Sequence, residues 1–211
     1  MVGGSGLYVK CILEGLDDFP PVDPDVRARL NEQLQQTGLK PLQEQLKNLD
    51  SVTFNKIDIE NPHRVIRALE ICVGTGQPYS FFLNRHKNSR EFEIIKIGLQ
   101  APREVIYDRI NQRVDLMINE GLIEEARELF PNKELNALNT VGYKELFDHF
   151  EGLSTLEEAV AKIKMNTRRF AKRQLTWFRK EEDIHWFEYT TPASEIISFI
   201  ENEINKRRTT I

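Results

Sequence analysis

The chain has 211 residues, 40% hydrophobic and 29% charged, an ordinary globular balance that allows one or two domains and excludes a disordered or fibrous protein. No apolar run approaches the roughly 18 residues of a membrane span, and the two cysteines, Cys11 and Cys72, form no CxxC pair, so a cytoplasmic protein without disulfides is expected. The net charge of −4 argues against general nucleic-acid coating, yet residues 159–180 hold eight Lys or Arg and no acid, leaving 21 basic against 33 acidic residues (net −12) elsewhere.

Met1-Val2-Gly3-Gly4-Ser5-Gly6-Leu7-Tyr8 reads as the tail of a strand, a glycine turn and the start of a helix. A complete domain rarely opens this way, so an upstream part of the fold is expected to be missing. The glycine turn either approaches a phosphate backbone closely or merely turns the chain. A linker rich in Asp and Pro covers 16–22. Asp23 is then an N-cap with Pro24 at the first helical position, in a helix closing at Gly38. Another helix runs from Pro41 to about Leu49. Asn61-Pro62 repeats the start signal for a helix stopping before Gly74, Gly76 and Pro78. Residues 16–90 are thus expected to be all-helical, with a polar loop at Asn84–Arg90.

The texture then changes. Phe92–Leu99 is the best strand, largely apolar as a sheet interior demands. Pro102 opens a helix to about Asn119, which Gly121 interrupts or ends. Helices near 122–130, 142–150 and 155–180 follow, then a strand at Ile184–Glu188 and a helix over 192–207. The expected class is α/β, mostly helices with a few parallel strands. Its expected parts are a core piece at 1–15, a helical insertion at 16–90 and the rest of the core at 91–211.

Three constellations bear on chemistry. On a helical wheel with Phe170 at zero, Phe170, Ala171, Gln174, Leu175, Trp177 and Phe178 occupy roughly 340° to 140°. Arg168, Arg169, Lys172, Arg173, Thr176, Arg179 and Lys180 occupy roughly 160° to 300°. One face is expected to pack. The other is a polyanion-binding stripe or a solvated face, and the lack of acids for i,i+4 pairs favours the former. His63, Arg64 and Arg67 lie in the first two turns of a helix, whose free N–H groups attract phosphate, or they are plain surface residues. Arg109 and Arg113 lie one turn apart on the helix after the best strand. They are either a diphosphate clamp or half of an ion-pair lattice with Asp108 and Asp115.

The chain contains no GxxxxGK[ST], no HExxH and no clustered His or Cys spacing, so no metal ligands are assigned. His86, His149 and His185 read as ordinary residues. Asp17-Asp18, Glu124-Glu125 and Glu181-Glu182-Asp183 read as solvated charges.

Five segments in order carry a resemblance: Val2–Tyr8, Asp23–Arg29, Asn61–Glu70, Val141-Gly142-Tyr143 and Ala171–Arg179. Together they resemble the tRNA isopentenyltransferase (tRNA dimethylallyltransferase) family, across essentially the whole chain. The resemblance implies a P-loop-type α/β core with an all-helical insertion. It implies transfer of a dimethylallyl group from dimethylallyl diphosphate to N6 of the adenosine 3′ of the anticodon, with Mg²⁺. The family's P-loop and general-base aspartate have no counterpart here, so this chain alone is expected to be inactive. Arg113 matches the family's diphosphate-stabilising arginine, with Arg109 supporting it. The tRNA contacts carry over to Ser5, Arg27, His63, Arg64, Arg67, Asn139, Thr140, Val141, Gly142, Tyr143, Lys144, Lys172, Arg173, Gln174, Thr176, Trp177 and Arg179. Asn139 and Lys144 stand where arginine is common. The implied partner is the tRNA anticodon stem-loop, with no membrane contact. The longer family protein is expected to be a monomer, and this chain is expected either to self-associate through open strand edges or to be less stable than its length suggests. The alternatives are a non-catalytic tRNA-binding fragment and a P-loop small-molecule kinase relative.

Overall fold

The computed structural model describes residues 1–83 and 90–209, so the loop expected at Asn84–Arg90 and the reading of His86 fall almost wholly outside the described residues. Two compact units are present, one of residues Lys10–Phe92 and one of Met1–Val9 with Glu93–Ile211. Among the described residues, no helix is long and apolar enough to cross a membrane, and both cysteines are free.

The first unit is helical. After α1 (Gly6–Glu14), which enters it from the other unit, come α2 (Pro24–Thr37), α3 (Leu39–Leu49), α4 (Ser51–Lys56), α5 (Pro62–Thr75) and α6 (Tyr79–Phe82). Local chemistry sets the two principal starts. Asp23 accepts the Asp25 N–H, and Asn61 accepts the His63 and Arg64 N–H groups, each ahead of a proline that lacks the N–H a helix would leave orphaned. Val26, Leu30, Leu42, Leu46, Val65, Ile66 and Leu69 form the core between α2, α3 and α5. Helix α3 begins at Leu39 rather than Pro41, since a proline is tolerated within a first turn. Helix α5 runs through Gly74 to a left-handed cap at Gly76. Gly74 does not stop the helix. A Cβ there would stand 2.2 Å from Val22 Cγ1, so its glycine admits the incoming linker.

The second unit is α/β. Strands β1 (Lys96–Gln100) and β2 (Ile184–Glu188) pair in parallel, from Lys96 opposite Ile184 to Gln100 opposite Glu188. Between them run α7 (Arg103–Asn119), α8 (Leu122–Leu129), α9 (Tyr143–Phe150) and α10 (Leu156–Phe178), and α11 (Ala193–Thr209) follows. Val114, Leu122, Ala126, Leu146, Phe147, Ala159 and Ile163 form the core where α7 to α10 meet. On the sheet, Phe199 of α11 packs on His185 and Phe187.

Three expectations need correction here. The expected strand at Phe92–Leu99 narrows to Lys96–Gln100, because β2 offers only five residues to pair. Upstream, the Ile94 carbonyl accepts from Arg207 Nη1 at 3.1 Å and Glu93 pairs with Arg207, so α11 takes that segment. No strand forms at Met1–Val2, and Val2 is fully exposed without a ladder partner among the described residues. Glu181 and Asp183 are not merely solvated. Both hold Lys96 Nζ, at 3.0 and 2.9 Å, where β1 begins.

Candidate nucleic-acid interface

Helix α10 is the longest in the protein and opens with a capping box, Thr155 accepting the Glu158 N–H while Glu158 accepts that of Thr155. Its first half is anchored in the core by Ala159 and Ile163, which leaves the second half to project its side chains. There Arg169, Lys172, Arg173, Thr176, Trp177 and Lys180 line an open groove of about 420 Å³. Among the described residues, Lys172 and Lys180 have no acidic partner within ion-pair distance, and Arg173 lies over the Phe170 ring at 5.5 Å. Cations with an aromatic rim suit a polyanion that also presents flat rings, as RNA does.

Three residues depart from the helical-wheel reading. Phe170 and Trp177 are not packed inward but are 45% and 42% exposed, since both lie at the edge of the apolar arc. Arg168 leaves the cationic face. It donates to Asn111 Oδ1 at 2.6 Å and lies over the Tyr107 ring, tying α10 to α7. The inward face is made by Ala171, Gln174, Leu175 and Phe178.

The glycine segment rests on this same helix. Gln174 Nε2 donates to the Gly4 carbonyl at 2.9 Å, and a Cβ on Gly6 would stand 2.4 Å from the Trp177 indole. Gly4 and Gly6 therefore provide close approach to α10, which sets exposed Ser5 beside the groove. Gly6→Ala should push the indole out of place, read as a shifted tryptophan emission. An unchanged spectrum would show that the contact is dispensable.

The turn at 139–144 lies in the same unit. Asn139, Thr140, Val141 and Lys144 are exposed, whereas Gly142 is buried and Tyr143 donates its hydroxyl proton to Glu125. That bond raises the Tyr143 pKa and gives Glu125 a partner, where the sequence suggested only solvated charge.

Arg109 lies over the Tyr189 ring at 4.7 Å, and the Tyr189 N–H donates to the Gln100 carbonyl at 2.8 Å. Tyr189 directly follows β2, so Arg109 marks the carboxyl end of both strands, where open α/β sheets bind ligands. Arg113 is exposed and makes no side-chain hydrogen bond or ion pair among the described residues. Among the described residues, the alternative ion-pair lattice does not form. Asp108 accepts from Gln112 and Asp115 pairs with Lys164.

In the helical unit, Arg27 and Arg67 both donate to Glu70 Oε2, at 3.1 and 2.9 Å, and Arg67 also covers Phe19. His63 and Arg64 are exposed. Asn61 already occupies their backbone N–H groups, so these two amides are not free at this helix start, where the expectation had them available to phosphate. His149 and His185 are structural, the first bonded to the Ser154 carbonyl and the second packed on Phe199.

The IPP transferase family profile matches residues 1–181. The tRNA dimethylallyltransferase of Christiangramia forsetii is 62% identical over 205 residues, covering 97% of this chain and 68% of that protein. Among solved structures, the full-length tRNA isopentenylpyrophosphate transferase of Bacillus halodurans is similar with a TM-score of 0.57 at 38% identity, covering 95% of this chain and 63% of that one. A eukaryotic dimethylallyltransferase acting on tRNA shares the fold, with a TM-score of 0.71 at 23% identity, over 97% of this chain and 56% of its own. The chain thus spans between a little over half and about two thirds of these relatives' lengths. These likenesses agree with the expected P-loop-type α/β class, mostly helices with a small parallel sheet. By its matched profile and by its identity to curated members, the chain belongs to the IPP transferase family.

Proposed function

We propose that this chain carries the tRNA-holding and diphosphate-holding surfaces of a tRNA dimethylallyltransferase, which moves a dimethylallyl group from dimethylallyl diphosphate to N6 of the adenosine 3′ of the anticodon. The observation that carries the reading is the α10 groove, whose cations have no acidic partner among the described residues and whose rim is Trp177. A small-molecule kinase has no use for such a surface.

In the reaction, a C–N bond forms between the neutral amine and the allylic carbon while the C–O bond to diphosphate breaks. Negative charge grows on the leaving group, and a guanidinium placed there lowers the barrier. Arg113 takes that role in this reading, with Arg109 beside the sheet's carboxyl end supporting it. The amine proton leaves to a base. For Mg²⁺, the described residues include no group of three His, Cys, Asp or Glu able to hold a metal ion. No ligand among the described residues and no step is therefore assigned to the ion.

On the RNA side, Lys172, Arg173, Thr176 and Arg179 meet phosphates and Trp177 offers a ring face. Ser5 and Gln174 border them, and the 139–144 turn adds Lys144. From the helical unit, His63, Arg64, Arg67 and Arg27 face the anticodon loop. Changing Lys172 and Arg173 together to Ala should weaken binding of a fluorescent anticodon stem-loop about tenfold. The same change should shallow the plot of log K against log salt by about 1–2 units. Unchanged affinity and slope would return α10 to a solvated helix.

A further inference from the structure

Glu145 is 4% exposed and forms no ion pair among the described residues. Its two oxygens serve different elements. Oε2 accepts the Gly142 N–H at 2.8 Å, and Oε1 accepts from Asn166 Nδ2 of α10 at 2.7 Å. Gly142, at φ 108°, is the N-cap of α9, whose first turn carries Lys144. Asn166 in turn accepts from Arg169 Nη1 at 3.4 Å, where the groove begins. One buried carboxylate therefore joins the backbone at the start of α9 to the inner side of the basic helix.

Capping α9 alone does not call for this. A Ser or Asp at the cap would hold the first N–H groups from the surface without burying a charge. A buried acid without a cation is costly unless every lone pair it turns inward is used. The arrangement makes physical sense if the spacing between that helix start and α10 matters.

We infer that Glu145 is a positioning residue that fixes the start of α9, with Lys144 in its first turn, against Arg169, Lys172 and Arg173, so that both segments meet one RNA surface. This rests on the tRNA reading above. Phosphate contacts set register only when their donors are held rigidly with respect to one another.

The test is a double-mutant cycle on the anticodon stem-loop. Lys144→Ala should cost about threefold in affinity in the otherwise unchanged chain. Glu145→Ala should cost about tenfold, and adding Lys144→Ala to it should cost almost nothing more, because a first helical turn released from α10 no longer presents that lysine. Loss of stability alone would not abolish the Lys144 effect. The second arm keeps the fold. Asn166→Asp sets two carboxylates face to face and should weaken RNA binding about tenfold. Combining it with Glu145→Gln should restore the affinity, since the amide oxygen keeps the Gly142 N–H and the amide nitrogen donates to the new carboxylate. Additive costs with intact RNA binding, or no rescue by the pair, overturn the positioning role alone. No RNA binding by the unsubstituted chain overturns the tRNA reading, and this proposal with it.

Discussion

Arg113→Ala should lower the rate of dimethylallyl transfer by roughly 10²–10³ in the active enzyme while leaving tRNA affinity within about twofold. The asymmetry follows from when the charge appears. Diphosphate gains negative charge as the allylic C–O bond breaks, so a guanidinium aimed at it acts more strongly on the transition state than on bound substrate. The structure leaves Arg113 available, since its side chain forms no ion pair among the described residues while its neighbours Asp108 and Asp115 are engaged elsewhere. Arg109 is committed to Tyr189 at the sheet's carboxyl end, so Arg109→Ala should cost less, mainly through a loosened Tyr189. Single-turnover measurement with labelled dimethylallyl diphosphate separates chemistry from RNA binding. Normal turnover with lost RNA affinity would move Arg113 to the RNA surface.

Where the chain is punctuated by residues with one strong local use, the fold was legible from sequence. Asp23-Pro24 and Asn61-Pro62 start α2 and α5 as their side-chain chemistry dictates. The span Ile184–Glu188 is β2 to the residue. Elements stabilised from far along the chain were not legible. Helices α4 and α6 are too short for a hydrophobic period, and both depend on one carboxylate, Asp50, with Ser80 thirty residues away. Phe92–Ile95 has strand-like residues, but strand geometry needs a partner, and the Arg207 side chain took the Ile94 carbonyl instead.

The candidate surface was legible in its charge and less so in its geometry. Counting acids and bases finds the stripe on α10 because missing counter-charges are a compositional fact. It does not find that Trp177 rims the groove and rests against Gly6, nor that Arg168 turns to Asn111. A helical wheel assigns every apolar residue to the core, while amphipathic rings at the edge of the arc are free to face outward. The bond between Glu145 and Asn166 spans 21 residues and two helices, so nothing in local spacing announces it.

Asp50→Ala should destabilise the helical unit by about 3 kcal/mol, roughly 10²-fold in its folding equilibrium. The side chain, 3% exposed, accepts the Thr53 N–H at 2.9 Å and the Ser80 N–H at 2.7 Å, and both hydroxyls as well. Truncation orphans two partly or fully buried backbone donors at once, at the first turn of α4 and of α6. The hydroxyls can turn elsewhere, but the amides cannot. The effect also has a sign in pH. Burial pushes the Asp50 carboxyl up, yet the hydrogen bonds from Thr53 and Ser80 outweigh it and hold its pKa below the ordinary carboxylate value. A folded pKa below the unfolded one gives stability that is complete above the ordinary value, about pH 4, and is lost as pH falls below it toward the folded pKa. Urea unfolding of the full chain by circular dichroism at pH 7 and pH 3 should therefore show a large gap between the original protein and Asp50→Ala at pH 7, narrowing at pH 3. Asp50→Asn should fall between them and lose most of that pH response, because its amide can accept at one oxygen but sets a donor against a donor at the other position. An equal gap at both pH values would mean that Asp50 acts by filling space, and that α4 and α6, the latter packed on α5 with its exposed His63 and Arg64, are held by apolar packing instead.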